Sequence, residues 1–440
     1  MKDKCDDRIK ADQKKLRRQD QGEIEMTESK GGRSMERFNT ELEELKKKQK
    51  ELESRYSGIG TIRFLMFLVM AGGLIVGLYD SNIPFLIAGI LAVVAFVFLV
   101  FKHGKLNEQL EYNRAKVIVY ERYLKRYDDS WKEFEEDGSE YLTDEDLVAK
   151  DLDIMGKNSL YQFICVAGTE DGRQLLAETL RQPEFASEDR KKRQDAVREL
   201  TEKHDFSMGF ETLCVKSGMG KKKKYSSDEF VAYCTSDEHI SGIFNILRFL
   251  LPLVTIVLLI LGIMGKVNLG YSMISFFVVL LFAWITSGVA GQAVMPMISF
   301  GYVIDDYIKM FEQISDENFD SELLKDIKNT ISEDTGALNA VKKLERISSA
   351  FNIRYNPIIH QVLCGLLLWD FHLGFMMDKW RDRYGSQVKD WIHAISRMEE
   401  LLSFAALART RDVSYPEVTR RDKVEVTAEN MRHPLIDPSK

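Results

Sequence analysis

The sequence contains no Cys-x-x-Cys pair, and its five cysteines, Cys5, Cys165, Cys214, Cys234 and Cys364, are scattered and odd in number. Neither a disulfide framework nor a clustered zinc site is indicated, and a reducing compartment is the simplest setting. The seven histidines are equally dispersed, so spacing alone proposes no metal ligands. His-Glu-x-x-His, Gly-x-Ser-x-Gly and Gly-x-Gly-x-x-Gly are all absent, and no catalytic residue is named. The opening "MKDKCDDRIKADQKKLRRQD" has no apolar stretch and does not read as a secretory signal peptide. A net charge of −7 argues against a uniformly basic nucleic-acid binder, although a local basic surface stays open.

Charge is also missing from four long blocks. Overall the chain is 29% charged with a mean hydropathy of −0.22, values that look soluble because the apolar residues are concentrated. Residues 62–79, "IRFLMFLVMAGGLIVGLY", and 84–101, "PFLIAGILAVVAFVFLVF", are separated by a short polar turn. The pattern recurs at 249–265 and 273–291. Each block has about 18 residues, the lower end of what crosses a ~30 Å hydrocarbon core. The expectation is four transmembrane helices in two hairpins, 61–102 and 243–291. Lys and Arg crowd the outer flanks of both hairpins, as in "KKKQKELESR", "KHGK" and "KKKK" at 221–224. That bias predicts a multi-pass cell-membrane protein whose soluble domains are all cytoplasmic. No ionisable residue falls well inside the spans, which argues against a transport path. Gly73 and Gly77 form a Gly-x-x-x-Gly that would permit close helix approach.

Around the first hairpin the apolar residues follow alternating steps of three and four. Met35, Phe38, Leu42, Leu45, Gln49, Leu52 and Tyr56 precede it; Leu106, Leu110, Asn113, Val117, Tyr120, Leu124, Tyr127, Trp131 and Phe134 follow it. The spacing predicts a coiled-coil stalk from helices over 35–60 and 103–136. The two pair antiparallel within one chain, or alternatively across a dimer. Residues 1–34 are charged and aperiodic and read as a disordered tail.

Three stretches invite chemistry and do not supply it. "SGMGKKKK", 217–224, fails the P-loop spacing, so Lys221, Lys222, Lys223 and Lys224 read as a solvated basic loop or a contact for lipid or nucleic-acid phosphate. "EFEEDGSEYLTD", 133–144, lacks the closing bidentate Glu of a calcium loop and reads as an acidic linker. The segment 356–380, "NPIIHQVLCGLLLWDFHLGFMMDKW", is interrupted by Asp370 and His372. It reads as a buried amphipathic core helix with those two residues hydrogen-bonded at its edge.

Two further stretches carry a family resemblance. In 151–200 a leader with Gly156 and Ser159-Leu160 precedes Gly172-Arg173, then Leu175-Leu176, Leu180 and Pro183, then Arg193 with Asp195-Ala196-Val197. Later come "ALNAVKKLERISSAFNIRYNPIIHQVLCGLLLWDFHL", including Trp369 and Asp370, then "ISRMEELLSFAALA" and "AENMRHPLI" with His433-Pro434. Order and spacing resemble the core domain of the MutS mismatch-repair family, in a membrane-anchored branch, over 151–205 and 337–440. The resemblance implies an all-α protein with a MutS-like cytoplasmic core in two parts, 151–240 and 300–430. It reads 431–440 as a strand leading into an ATPase domain missing after residue 440. It further implies DNA mismatch recognition and a homodimer in the intact form, with ATP and Mg²⁺ bound only there and no cofactor in this chain. The family's mismatch-reading module is absent, and a membrane hairpin replaces its lever-and-clamp excursion. A membrane-anchored scaffold for protein partners, with no DNA role, is the competing reading.

Overall fold

The computed structural model describes residues 2–79, 83–181, 187–219, 227–332, 336–355, 357–418, 425–429 and 431–436. Every regular element among them is helical. Helix α1 spans Lys2–Tyr79 and α2 spans Ile83–Tyr127. No proline precedes Pro84, and the early sequence is rich in straight-chain Lys, Glu, Arg and Gln, which suit a helix. The helix accordingly starts at Lys2 rather than near Met35, and takes in residues 2–34 of the segment read above as a disordered tail.

The two long helices run antiparallel, their partners stepping in opposite directions along the chain. Near the turn, a Cβ on Gly73 would lie 2.9 Å from the Gly89 Cα, so the backbones touch there. Farther down, Phe67 meets Phe96, Tyr56 stacks on His103 with ring centroids 4.1 Å apart, and Arg114 pairs with Glu53 at 2.8 Å. Next, Asn113 donates to the Leu45 carbonyl at 3.0 Å, and finally Phe38 stacks on Tyr123 at 4.9 Å. Leu52, Leu106 and Leu110 form one buried cluster between the helices, with Tyr56 and Ile59 against it. Lower down, Phe38, Leu42, Val117 and Tyr120 join the main core instead. The helical part of the seam ends at Tyr127. Trp131 lies beyond it in a 3₁₀ turn, Ser130–Glu133, and packs edge-on against Phe163 at 5.1 Å; Phe134 is extended. Asp129, with φ +66°, breaks the helix at that point.

The rest of the body is a helical bundle. Its elements are α3 (Leu147–Asp151), α4 (Leu160–Ile164), α5 (Glu170–Arg181), α6 (Ser187–Glu202), α7 (His204–Gly218) and α8 (Asp228–Thr235). After an excursion come α11 (Ser287–Asp316), α12 (Glu322–Ile331), α13 (Ala337–Phe351), α14 (Pro357–Leu367), α15 (Trp369–Tyr384) and α16 (Val388–Thr410). Helix α16 is the axis. Trp391, Ile395, Met398, Leu401, Leu402 and Ala405 are buried on it, and α5, α6 and α12 pack around it.

The excursion is α9 (Gly242–Ile263) and α10 (Gly270–Ile285). Three helices, α1, α2 and α9, contain stretches long and apolar enough to cross a membrane. The outward faces of the four apolar segments stay uncovered: Phe64, Phe98, Ile246 and Trp284 are exposed, as lipid-facing residues would be. The fourth expected span, 273–291, is divided. Helix α10 has 16 residues, about 24 Å at ~1.5 Å per residue, and breaks at Thr286 before α11 begins. A bent pair, Ile359–Leu367 and Trp369–Thr410, turned by 76°, would make a fourth only if counted as one broken span, and its second part includes α16, the buried axis of the body. The 356–380 segment is therefore two helices. Leu368 holds φ +49° at the break, and α14 lies on α9 and α10 with Ile359 and Val362 exposed.

No strand forms at "RHPLI". His433–Ile436 is a turn closed by Ile436 N donating to the His433 carbonyl at 3.2 Å. Pro434 has no N–H to give a ladder, and no other strand exists among the described residues to pair with.

Candidate functional site

The segment that carries Gly172 and Arg173 is the first turn of α5. Thr169 caps that helix, its Oγ1 accepting from Gly172 N at 3.0 Å. Glu399 on α16 reaches the same helix end. It accepts from Gly168 N at 2.9 Å and from Thr169 N at 3.0 Å, and the Thr169 hydroxyl donates to it as well. A carboxylate facing unpaired backbone donors at a helix N-terminus is a favourable electrostatic match. Position 172 must be glycine because a Cβ would run into the Glu399 carboxylate. Arg173 donates to the Gly168 carbonyl at 3.1 Å and pairs with Glu170 at 2.9 Å. The motif is thus a joint between α5 and α16.

Burial pushes the Glu399 carboxyl above the usual range, opposed by the donors of Thr169 and Gly168. A folded-state value raised above the unfolded one favours the folded state below the ordinary carboxylate pKa, and that contribution is lost as pH rises through the raised value. Glu400 and Glu211 shift the same way through burial, so the comparison must isolate Glu399. Melting temperature is expected to decline as pH rises above the ordinary carboxylate range, and Glu399→Gln, which cannot ionise, should show a shallower decline. Equal slopes in scanning fluorimetry would contradict this.

The neighbouring α6 motif makes a second joint. Ala196 and Val197 are buried, and Arg193 pairs with the buried Glu400 of α16. Asp195 points outward and pairs with Arg198 at 3.0 Å. Arg409, near the end of α16, donates to Glu211 Oε1 at 3.1 Å and to the Tyr123 hydroxyl at 3.0 Å, while that hydroxyl donates to Glu211 at 2.7 Å. This buried triad, absent from the sequence reading, ties α2, α7 and α16. Arg411 reaches the C-terminal turn, donating to the Pro434 carbonyl at 3.1 Å, and Leu435 packs on the second cluster around Trp131 and Phe163. His433 is exposed. Pro183 and Lys221, Lys222, Lys223 and Lys224 lie outside the described residues.

Hairpin two joins the body at another polar cluster. Arg381 of α15 donates to Ser236 Oγ at 3.2 Å and to the Glu238 carbonyl, and Asp378 accepts from Ile240 N at 3.0 Å. These bonds pin the extended segment that leads into α9. Phe244 then stacks on Phe371 at 5.0 Å, and Phe249 meets His372 edge-on at 5.0 Å. His372 thus faces α9 rather than the core. Trp369 donates to the Ala350 carbonyl at 3.4 Å. Asp370 faces the other way, where Arg354 grips it with bonds of 3.1 and 2.8 Å. His360 Nε2 lies 3.0 Å from Asp370 Oδ1 and 3.3 Å from the Cys364 sulfur. The three donors His360, Cys364 and Asp370, not grouped by the sequence reading, lie within 4.8 Å of one another.

An apolar cavity lies in the body between Phe230, Phe311, Val341, Leu344, Trp380 and Trp391. Its lining offers almost no polar group to orient a ligand, so it reads as packing space.

These features define a class: an all-helical protein whose bundle is continuous with apolar, membrane-length helices. Compared with known proteins, the chain matches no family model, no curated protein and no solved structure.

Proposed function

We propose that this chain is the membrane-tethered coupling part of a MutS-like protein, its helical body on the cytoplasmic side and its two hairpins in the bilayer. The observation that supports this is the joint between α5–α6 and α16. The two stretches that resemble the MutS core, 151–205 and 337–440, are far apart in sequence, yet Glu399 and Glu400 of the second hold the α5 N-terminus and α6 Arg193 of the first. A core assembled around an excursion suits a relay. The excursion here is an apolar hairpin, so the relay runs between the body and the lipid.

In this reading the α1–α2 stalk is an antiparallel coiled coil within one chain and the intact protein is a homodimer. The body contacts DNA, and ATP with Mg²⁺ enters this reading only through the resemblance to the MutS family. The test is fluorescence anisotropy of the detergent-solubilised chain with labelled duplexes, one fully paired and one carrying a mismatch, across a salt series. Binding that weakens with salt and favours the mismatch by about tenfold, ~1.4 kcal/mol, is expected. Absence of salt-dependent binding would refute the DNA role and leave a membrane-anchored scaffold for protein partners.

A further inference from the structure

We propose that His360, Cys364 and Asp370 form a Zn²⁺ site with one coordination position open. His360 and Cys364 stand four residues apart on α14, so both side chains lie on one helix face. Asp370 lies in the first turn of α15 and enters the same space because the chain turns by 76° between the two helices. The donor set is one imidazole nitrogen, one sulfur and one carboxylate oxygen, the mixture that Zn²⁺ accepts.

The spacing of the donors fits one ion. Zn–N and Zn–O bonds of about 2.0–2.1 Å and a Zn–S bond of about 2.3 Å, at tetrahedral angles, place N and O roughly 3.3 Å apart and sulfur roughly 3.6 Å from each. The structure has His360 Nε2 at 3.0 and 3.2 Å from the two Asp370 oxygens, the sulfur 3.3 Å from Nε2, and the sulfur 3.9 Å from Asp370 Oδ2. The triangle is one face of a tetrahedron to within a few tenths of an ångström.

Arg354 does not displace the ion from this set. Its two bonds run to the Asp370 oxygens, and each carboxylate oxygen has a further lone pair for a metal. A hydrogen-bonded carboxylate held in one orientation is what an outer shell provides for a ligand. Its positive charge also limits the negative charge of the site, so Zn²⁺ with one thiolate and one carboxylate beside Arg354 leaves a net +1.

The binding step balances simply. The Cys364 thiol gives its proton to solvent and the resulting thiolate forms the Zn–S bond. Asp370 is already ionised beside Arg354, and the Nε2 proton of His360 that faces it in the metal-free chain passes through solvent to Nδ1, which frees the Nε2 lone pair for the ion. One proton is released per ion bound. Cys364 is buried, whereas the His360 side chain is 20% and the Asp370 side chain 14% exposed, so water has access to the fourth position. The ion would bridge α14, which lies on the membrane hairpin, to α15, which belongs to the body.

The test uses the full chain in detergent, stripped with a chelator and titrated with Co²⁺ and then Zn²⁺. One equivalent of Co²⁺ should give thiolate-to-cobalt charge-transfer absorption and tetrahedral d–d bands, with about one proton released. Zn²⁺ should then bleach the spectrum. Cys364→Ser should lose the charge-transfer band, His360→Gln should weaken Zn²⁺ binding by about tenfold or more, and Cys234→Ser should bind as wild type does. A wild-type chain that takes up no stoichiometric metal, or a charge-transfer band that survives Cys364→Ser, would overturn the assignment. Should Cys364→Ser not fold, His360→Gln decides: unchanged affinity refutes the site.

Discussion

Replacing Arg409 with leucine is expected to destabilise the helical body by about 3–5 kcal/mol, the loss typical of a buried ion pair stripped of one partner. Arg409 and Glu211 have side chains only 5% and 2% exposed. Leucine would leave the Glu211 carboxylate with the Tyr123 hydroxyl and the charge of Arg126 but no ion-pair partner in contact, in a place where burial already pushes its pKa up. It would also strip the Leu200 carbonyl of the guanidinium that donates to it. Adding Glu211→Gln to Arg409→Leu removes the stranded charge, so the double variant should be more stable than Arg409→Leu alone, by a coupling of about 1–3 kcal/mol. Denaturant melts of wild type, Arg409→Leu, Glu211→Gln and the double variant in one detergent check this. A double variant that loses the full sum of the single losses would show that the three groups do not act as a unit.

The second large effect belongs to the stalk. Leu110 is 2% exposed and shares a small cluster with Leu52 and Leu106, away from the main core. Leu110→Asp sets a charge in that buried seam, where few neighbouring contacts offset the cost of burying it. Backbone exchange in 48–60 and 103–112 should accelerate by about a hundredfold, roughly 3 kcal/mol of lost local protection, while α16 should be unchanged. Leu52→Asp should act alike, and the pair together should cost less than the sum because both open one interface. Leu124→Asp is a different experiment, because Leu124 packs on the main core and its replacement should loosen the body. Hydrogen exchange with mass spectrometry separates the two patterns. Unchanged exchange around Leu52 in Leu110→Asp would refute the seam.

Periodicity made the helices α1 and α2, their buried leucines and their apolar stretches legible, because these depend on residues close in the chain. Leu52, Leu106 and Leu110 are buried where steps of three and four put them. What the pattern could not give is where an element breaks for tertiary reasons. Leu368 adopts a left-handed backbone without being Gly or Asn, so nothing marks the bend in 356–380. The seam was carried too far for a similar reason: Trp131 and Phe134 keep the spacing after Asp129 has already turned the chain.

The polar joints were the least legible. Gly172 was picked out by resemblance, but its partner Glu399 lies more than 200 residues away and has no local signature. The His360–Cys364 spacing is visible in the sequence, whereas Asp370 joins them only through the bend.

The continuous course of α1 and α2, from the Gly73–Gly89 contact to the core around Phe38 and Tyr123, makes the length of this pair a discrete variable. Each residue of a helix advances it by ~1.5 Å and turns it by about 100°. One residue inserted into α1 between Leu52 and Gly73 would swing Gly73 away from Gly89, or drag Leu52 out of its cluster. Length can change only in steps of about seven residues, matched in both helices, if both contacts are to survive. Hairpin two enters through an extended segment held by Asp378 and Arg381, and is under no such rule. The α1–α2 pair therefore fixes its own rotation against the body, and hairpin two fixes only its point of attachment.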